Sequence, residues 1–367
     1  MKMIAFHLPQ FHAIKENDEW WGEGFTEWTN VRRAEPLFLG HHQPRVPLDN
    51  NYYDLLEKDV RQWQGKIAKQ YGIFGFCFYH YWFDGKLLLE KPLELMLKDG
   101  EPDIPFCLSW ANEPWTRTWD GKEHEVLISQ NYGGKDDWHK HFEYLLNFFT
   151  DRRYIKVANK PLFLIYRLDH INNYEEMIAF WRKAAIENGF EGLHIAQIKN
   201  SFCDKDLVGV DSVVFLEPMN TINFHIPFAS LDNFWRKGKV LANKTFLKTA
   251  KNPPKIFLGT KSYDYIWKHI LSRNVSKNKV PIYPGAFVDW DNSPRRGKFG
   301  FMITGASPDK FEIYLRKLVE KTRREYKTDF IFINAWNEWA EGAYLEPDDK
   351  HQFGFLEAIK KVLESIE

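Results

Sequence analysis

Apolar residues gather in eight short runs along the chain. They extend from Met3 to Leu8, Gly72 to Trp82, Ile104 to Trp110, Pro161 to Arg167, Leu193 to Lys199, Ser212 to Pro218, Pro281 to Trp290 and Asp329 to Trp336. A strand with one face in water alternates apolar and polar side chains. These runs stay apolar throughout, the pattern of parallel strands covered on both faces. Between them the spacing turns helical. Leu55, Leu56, Val60, Trp63 and Ile67 share one face, with Gly72 after them. Trp138, Phe142, Leu145 and Phe149 repeat the stripe, as do Met177, Trp181 and Ala184 between an Asn172 or Asn173 cap and Gly189. Phe311, Leu315 and Leu318 follow "SPD" at Ser307, and Phe355, Ile359 and Val362 make the last stripe. Eight strands alternating with helices predict an α/β fold, a (β/α)8 TIM barrel forming a single domain over residues 1–367 with long rim loops. A doubly wound open sheet is the alternative. It is disfavoured because no Gly-rich phosphate fingerprint follows the first run.

The polar residues sit after the apolar runs, where a barrel places its catalytic loops. The first run leads into "HLPQFHAIKENDEWWGEGFTEWTNV", the second into "YHYWFDG", the third into "SWANEPWTRTWDG", the seventh into "DWDNSPRR" and the eighth into "NAWNEWAEGAYLEP". In a barrel, these five loops rich in acids and indoles converge on one rim. Glu338 and Glu341 are three positions apart. On a helical turn their Cβ atoms lie about 5–6 Å from each other. Retaining glycosidases hold their two carboxyl groups about 5–5.5 Å apart, and close acids raise one another's pKa, leaving one protonated. An isolated E-x-x-E is more often a solvated helix face; at the end of a buried strand, between Trp336 and Trp339, it points to paired-carboxylate catalysis. Glu346 reads as a loop acid or a hydroxyl acceptor.

"ANEPW" at Ala111 resembles the acid/base motif of the large retaining glycosidase clan built on the barrel. That clan carries its motif after strand four and its nucleophile after strand seven. Here the motif follows strand three and the late acids follow strand eight, which argues for a substrate-contact role for Asn112 and Glu113. Asp289, Asp291 and Arg295 either hold sugar hydroxyls or fix the loop through an ion pair. Arg117, between Trp115 and Trp119, either meets substrate or stacks on an indole.

Composition adds one feature. Aromatic residues make up 17% of the chain, including 15 Trp. Indoles line sugar sites and also fill cores, and composition alone does not separate the two. Fifty basic and fifty acidic residues cancel, so bulk charge offers nothing to nucleic acid or an anionic membrane. No apolar stretch reaches the length of a membrane span. The start, "MKMIAFHLPQF", lacks a signal-peptide pattern, which predicts a cytoplasmic protein unless a signal has been trimmed away. Cys77 and Cys107 lie inside apolar runs and read as buried free thiols, Cys203 is the odd third cysteine, and no Cys/His spacing suggests a metal site. No cofactor is expected.

Together, "HLPQFH", "WWGEGFTEWTNV", "SWANEPWTRTWDG", "DWDNSPR" and "NAWNEWAEGAYLEPD" resemble the WbsX-type family across nearly the whole chain. Its members occur with bacterial polysaccharide, O-antigen or capsule genes and carry glycosyltransferase-like labels. That family is similar in turn to glycoside hydrolase family 99, the endo-acting α-1,2-mannosidases and mannanases. The resemblance implies retention with substrate assistance. Glu338 would act as base on the substrate's own 2-hydroxyl, which attacks the anomeric carbon, and Glu341 as general acid/base. A carbohydrate substrate is expected, contacted by Trp20, Trp21, Glu27, Trp110, Asn112 and Glu113. Trp115, Arg117, Trp119, Asp289, Asp291 and Arg295 complete that surface, with Trp336 and Trp339 walling the acid pair from water. Two rivals are a nucleotide-sugar-dependent glycosyltransferase, for which "DWD" at Asp289 has metal-motif spacing, and a non-catalytic carbohydrate-binding barrel, which has no need of two paired glutamates.

Overall fold

The computed structural model describes residues 1–117, 122–227, 254–255, 258–275 and 280–366. Each of the eight apolar runs forms a strand: β1 (Lys2–His7), β2 (Ile73–Phe83), β3 (Phe106–Trp110), β4 (Lys160–Ile165), β5 (His194–Lys199), β6 (Ser212–Phe215), β7 and β8 (Phe330–Asn334). Strand β7 is bent and consists of Ile282–Tyr283 and Gly285–Phe287. All pairings among these strands are parallel, each strand lying beside its sequence neighbours, and β1 pairs with β8 (Lys2 with Phe330, Ala5 with Ile333). The two halves of β7 join different partners, Ile282–Tyr283 pairing with β6 and Gly285–Phe287 with β8. One bent segment thus closes the sheet into a barrel. At the bend a Cβ on Gly285 would stand 1.9 Å from the Phe215 carbonyl oxygen, so only glycine fits.

Helices lie outside the barrel or on its rim: α1 (Lys15–Trp21), α2 (Glu27–Arg32), α3 (Lys58–Gln70), α4 (Lys91–Asp99), α5 (Lys135–Phe149), α6 (Tyr174–Glu187), α7 (Tyr263–Ser272), α8 (Ser293–Arg296), α9 (Pro308–Lys321) and α10 (Gly354–Glu364). Three predicted stripes become buried faces, for instance Phe311, Leu315 and Leu318 on α9, whose first turn is capped by the Ser307 hydroxyl accepting from Lys310 N–H. The first is displaced: Leu55 and Leu56 precede α3, which buries Arg61, Gln64, Ile67 and Ala68 and leaves Val60 and Trp63 half-buried, and α6 buries Ala185 in place of Ala184. Among the described residues no helix is long and apolar enough to cross a membrane. The three cysteines are buried and free, with Cys77 opposite Cys107 in the β2–β3 register.

Strand parity decides which aromatic side chains reach the lumen. On β2, Tyr79 faces inward and stacks on Phe6 at 5.6 Å. His80 and Trp82 face outward, against His141 of α5, with Trp82 and His141 parallel at 4.6 Å. Trp110 is the register partner of His80 and shares its outward face, packing on His141 and on Trp181 of α6.

Candidate active site

Strand β8 delivers the chain to a two-residue ladder in which Asn337–Glu338 pairs antiparallel with Ala343–Tyr344. A tight turn, Trp339–Glu341, joins them. Asn337 is fully buried, and its side-chain amide docks on β1's extension: Oδ1 accepts from Leu8 N–H at 2.8 Å and Nδ2 donates to Leu8 C=O at 3.0 Å. Trp339 stacks on Tyr344 at 3.8 Å and donates Nε1–H to Glu346 at 2.7 Å. Glu346 also accepts from Tyr53 at 2.9 Å and Gln64 at 2.7 Å. Burial pushes the Glu346 carboxyl up to about 7 against these three donors. Gly342 closes the turn at φ 64°, and a Cβ there would meet the Arg45 guanidinium at 2.9 Å.

Glu338 and Glu341 converge on one guanidinium. Arg295, in α8 after β7, donates Nη1–H to Glu341 at 2.6 Å and Nη2–H to Glu338 at 3.4 Å. Its Nε–H goes to Glu27 of α2 at 3.0 Å. Burial raises both members of the pair above the usual carboxylate range. For Glu338 the Glu341 charge comes next; Glu27 raises both, and Arg295 opposes the rise in both. Two carboxylates so placed titrate as a unit and retain a proton near neutral pH.

The pair lines a cavity of about 890 Å³ at the C-terminal rim of the strands, the volume of a small-molecule or oligosaccharide site. Tyr79 and Tyr81 of β2 and Tyr166 after β4 face it. Burial raises all three hydroxyls, helped by the Glu338 charge, so they stay neutral donors. Glu113 and Trp115 after β3, Trp21 of α1, and Gln10, Trp290 and Asn334 complete much of the wall. Glu113 is bound by Arg167 at 2.7 Å; burial raises it and Arg167 holds it down. Among the described residues no group of three or more His, Cys, Asp or Glu side chains is placed to hold a metal ion.

Six of the residues singled out from sequence, Trp21, Glu113, Trp115, Arg295, Glu338 and Glu341, line this cavity. Others take different places. Trp110 is in the barrel wall for the parity reason given above. Asn112 is fully buried and clamps the backbone of Arg167, accepting from its N–H at 2.7 Å and donating to its C=O at 3.0 Å. Asp289 binds Arg45 at 2.8 Å, outside the cavity lining. Asp291 is buried among His41 at 2.8 Å, Gln43 at 2.7 Å and the Ser293 N–H at 3.0 Å. Burial works against its charge, but the His41 hydrogen bond and the Arg45 charge outweigh it and hold the carboxyl at about 2. The "DWD" acids therefore fix loops. Trp336 packs on Phe76 at 4.9 Å, outside the lumen, and Trp339 is core; both support the acid turn from behind rather than walling it from water. Trp20 props Trp115 edge-on at 5.8 Å, and Glu27 lies behind Arg295 with no exposure. Trp119 falls outside the described residues, as does the Arg117 side chain.

Sequence reasoning missed Tyr79, Tyr81 and Tyr166. A signal was present in the i, i+2 spacing of Tyr79 and Tyr81 near the C-terminal end of a strand.

Comparison with known proteins places this geometry in context. The family model described as Glycosyltransferase WbsX matches residues 3–359. The protein WxcX of Xanthomonas campestris pv. campestris strain B100 is 37% identical over 367 residues, covering 98% of this chain and 49% of that protein, and WxcX of strain ATCC 33913 matches to the same extent. The chain spans about half the length of these curated relatives. Among solved structures, the GH99 endo-α-mannosidase from Bacteroides thetaiotaomicron in complex with bis-tris-propane superposes with a TM-score of 0.58 at 12% identity, over 99% of this chain and 96% of that one. A glycoside hydrolase-like protein gives 0.55 at 13% identity, over 98% and 93%. At these identities the shared property is the barrel fold.

Proposed function

The chain belongs to the WbsX glycosyltransferase family, and from that premise we propose that its barrel is a carbohydrate-active enzyme cleaving, or transglycosylating, an oligo- or polysaccharide with retention. The observation that carries this reading is the Glu338–Glu341 pair, held on Arg295 in the wall of a rim cavity lined by tyrosines and tryptophans. A substrate-assisted route needs one proton on such a pair. Glu338 takes the proton of the substrate's 2-hydroxyl as that oxygen attacks the anomeric carbon. Glu341 protonates the leaving oxygen, and the product of this half-reaction is a 1,2-anhydro sugar. Glu341 then removes a proton from water, or from an acceptor hydroxyl, which opens the anhydro ring, and Glu338 returns its proton to the 2-oxygen. Two inversions at the anomeric carbon give net retention, and no nucleophilic side chain is required. Tyr79 and Tyr81 stand beside Glu338 as neutral hydrogen-bond donors, and Trp21 and Trp115 offer ring faces to sugar C–H surfaces.

The test is Glu338→Gln and Glu341→Gln against a panel of glycans. Each substitution is expected to lower kcat at least about 100-fold on a substrate the parent cleaves, the scale of a lost general acid or base. Circular dichroism of the same samples confirms that the fold is kept. Full activity in both variants refutes the assignment.

The family description favours a second reading, transfer from a nucleotide-sugar donor. Calorimetric titration with nucleotide sugars, with and without Mn²⁺, discriminates. Tight, metal-dependent binding reverses the order of the two readings.

A further inference from the structure

Glu27 has no exposure, lies outside the cavity lining and nonetheless touches the site through one contact, the Arg295 Nε–H. Its Oε1 also accepts from Asn30 at 3.4 Å; among the described residues its Oε2 meets no donor. A carboxylate that bound a sugar hydroxyl would face the cavity. One that served only the fold would be expected to have both oxygens satisfied. Glu27 does neither. It occupies the rear of the guanidinium whose front edge holds the acid pair.

Counting charge shows what this does. One guanidinium faces three carboxylates: Glu27 with its side chain fully buried, Glu338 with 10% exposed and Glu341 with 23%. Arg296, on the same turn of α8, is exposed at the cavity's edge, and its charge lowers Glu341. Tyr79 and Tyr81 of β2 and Tyr166 after β4 face the pair as neutral groups. With all three acids ionised, their negative charge exceeds what buried Arg295 and exposed Arg296 offset in a largely buried site, and protonation of one carboxyl is the least costly relief. With Glu27 neutral, the whole charge of Arg295 would fall to Glu338 and Glu341.

We infer that Glu27 is a positioning residue of the acid pair: a buried counter-charge that fixes Arg295 and takes up part of its positive charge, so that Glu338 and Glu341 together keep one proton. The inference deepens the two-carboxylate reading and rests on it for its purpose, since a pair with no proton has no general acid.

The test does not require turnover. In protein labelled with ¹³C at the glutamate carboxyl carbon, the resonances of the pair are assigned with Glu338→Gln and Glu341→Gln and titrated. Glu27→Gln is expected to move the upper midpoint of the pair down by about one to two units, the scale of a unit charge a few ångströms away at a partly screened site. Glu27→Asp, which keeps the charge, is expected to hold the midpoint within about half a unit of the parent. An unchanged midpoint in folded Glu27→Gln overturns the inference. If Glu27→Gln does not fold, Glu27→Asp decides alone: a midpoint at the parent's value supports the counter-charge, and a fall of a unit or more overturns it. An intact titration effect in a protein that cleaves no glycan sinks the glycosidase reading and leaves this one standing; an active enzyme whose pair ignores Glu27 does the reverse.

Discussion

Removing Arg295 tests the electrostatic account of the site through stability alone. In Arg295→Met the packing stem is retained and the cation is lost. Three carboxylates, at 0%, 10% and 23% side-chain exposure, lose hydrogen bonds of 3.0, 3.4 and 2.6 Å. Stripping the partner from a buried ion pair costs about 3–5 kcal/mol. Protonation of the acids limits the cost, so it depends on pH. Glu338 and Glu341 have folded pKa values above their unfolded ones. The folded state therefore holds protons that the unfolded state has released. Between the unfolded and the folded pKa, stability falls as pH rises. Loss of Arg295 raises the folded values further and extends that window upward, so the deficit of the variant grows with pH. With about 2.1 cal/mol/K of unfolding entropy per residue over 367 residues, each kcal/mol shifts Tm by about 1.3 °C. The expected drop, read by circular dichroism at constant ionic strength, is about 4–6 °C near pH 8 and no more than about half that near pH 5.5. A drop under about 1 °C near pH 8, or an equal drop at both pH values, refutes the reasoning.

Two further outcomes follow from groups outside the cavity. Glu346, raised to about 7 in the folded protein, makes the parent lose up to about 3 kcal/mol as pH rises from the unfolded carboxylate range to about 7, because the folded state holds a proton the unfolded state gives up. Glu346→Gln is expected to flatten that part of the stability–pH curve, and thermal melts of the variant that keep the parent's slope speak against the raised carboxyl. Asn112→Ala leaves the buried backbone N–H and C=O of Arg167 without their partner, at a cost of about 2–4 kcal/mol. A fall in Tm of about 3–5 °C is expected, and an unchanged Tm returns Asn112 to the list of substrate contacts.

How much of this was legible in the sequence varies from residue to residue. The strands were readable because parallel strands under two layers are apolar at most positions, with only scattered buried polar residues such as His80 and Gln197. The acid turn was readable because Glu338 and Glu341 stand where an apolar run ends. Arg295 was left between two roles, and in the structure it contacts the pair and lines the cavity. The indoles misled. Trp110, Trp336 and Trp339 are almost wholly inaccessible, as are Trp138, Trp181 and Trp267, so most of the aromatic excess is core. The strand formed by the second run, "IFGFCFYHYWF", is aromatic on both faces. Packing of His80 and Trp82 on His141 of α5 puts them outside, and Tyr79 and Tyr81 line the cavity inside. Asp289 and Asp291 face an equivalent difficulty, since a carboxylate's partner, Arg45 or a sugar, is chosen by residues more than two hundred positions away.

The clamp between Asn337 and Leu8 has a consequence for how this protein becomes active. Beside the Trp336 N–H bond to Phe6 C=O, the Asn337 amide stitches the turn that carries the acids to the end of the first strand, across 329 positions of chain. Contacts of such separation carry a loop-closure cost that is smallest once the intervening strands have been laid side by side. The cavity wall can be in place while the acids still lack their seat. Turnover would then report closure of the ring itself. In a refolding experiment it should return after the bulk of the secondary structure, in step with the joining of the first and last strands.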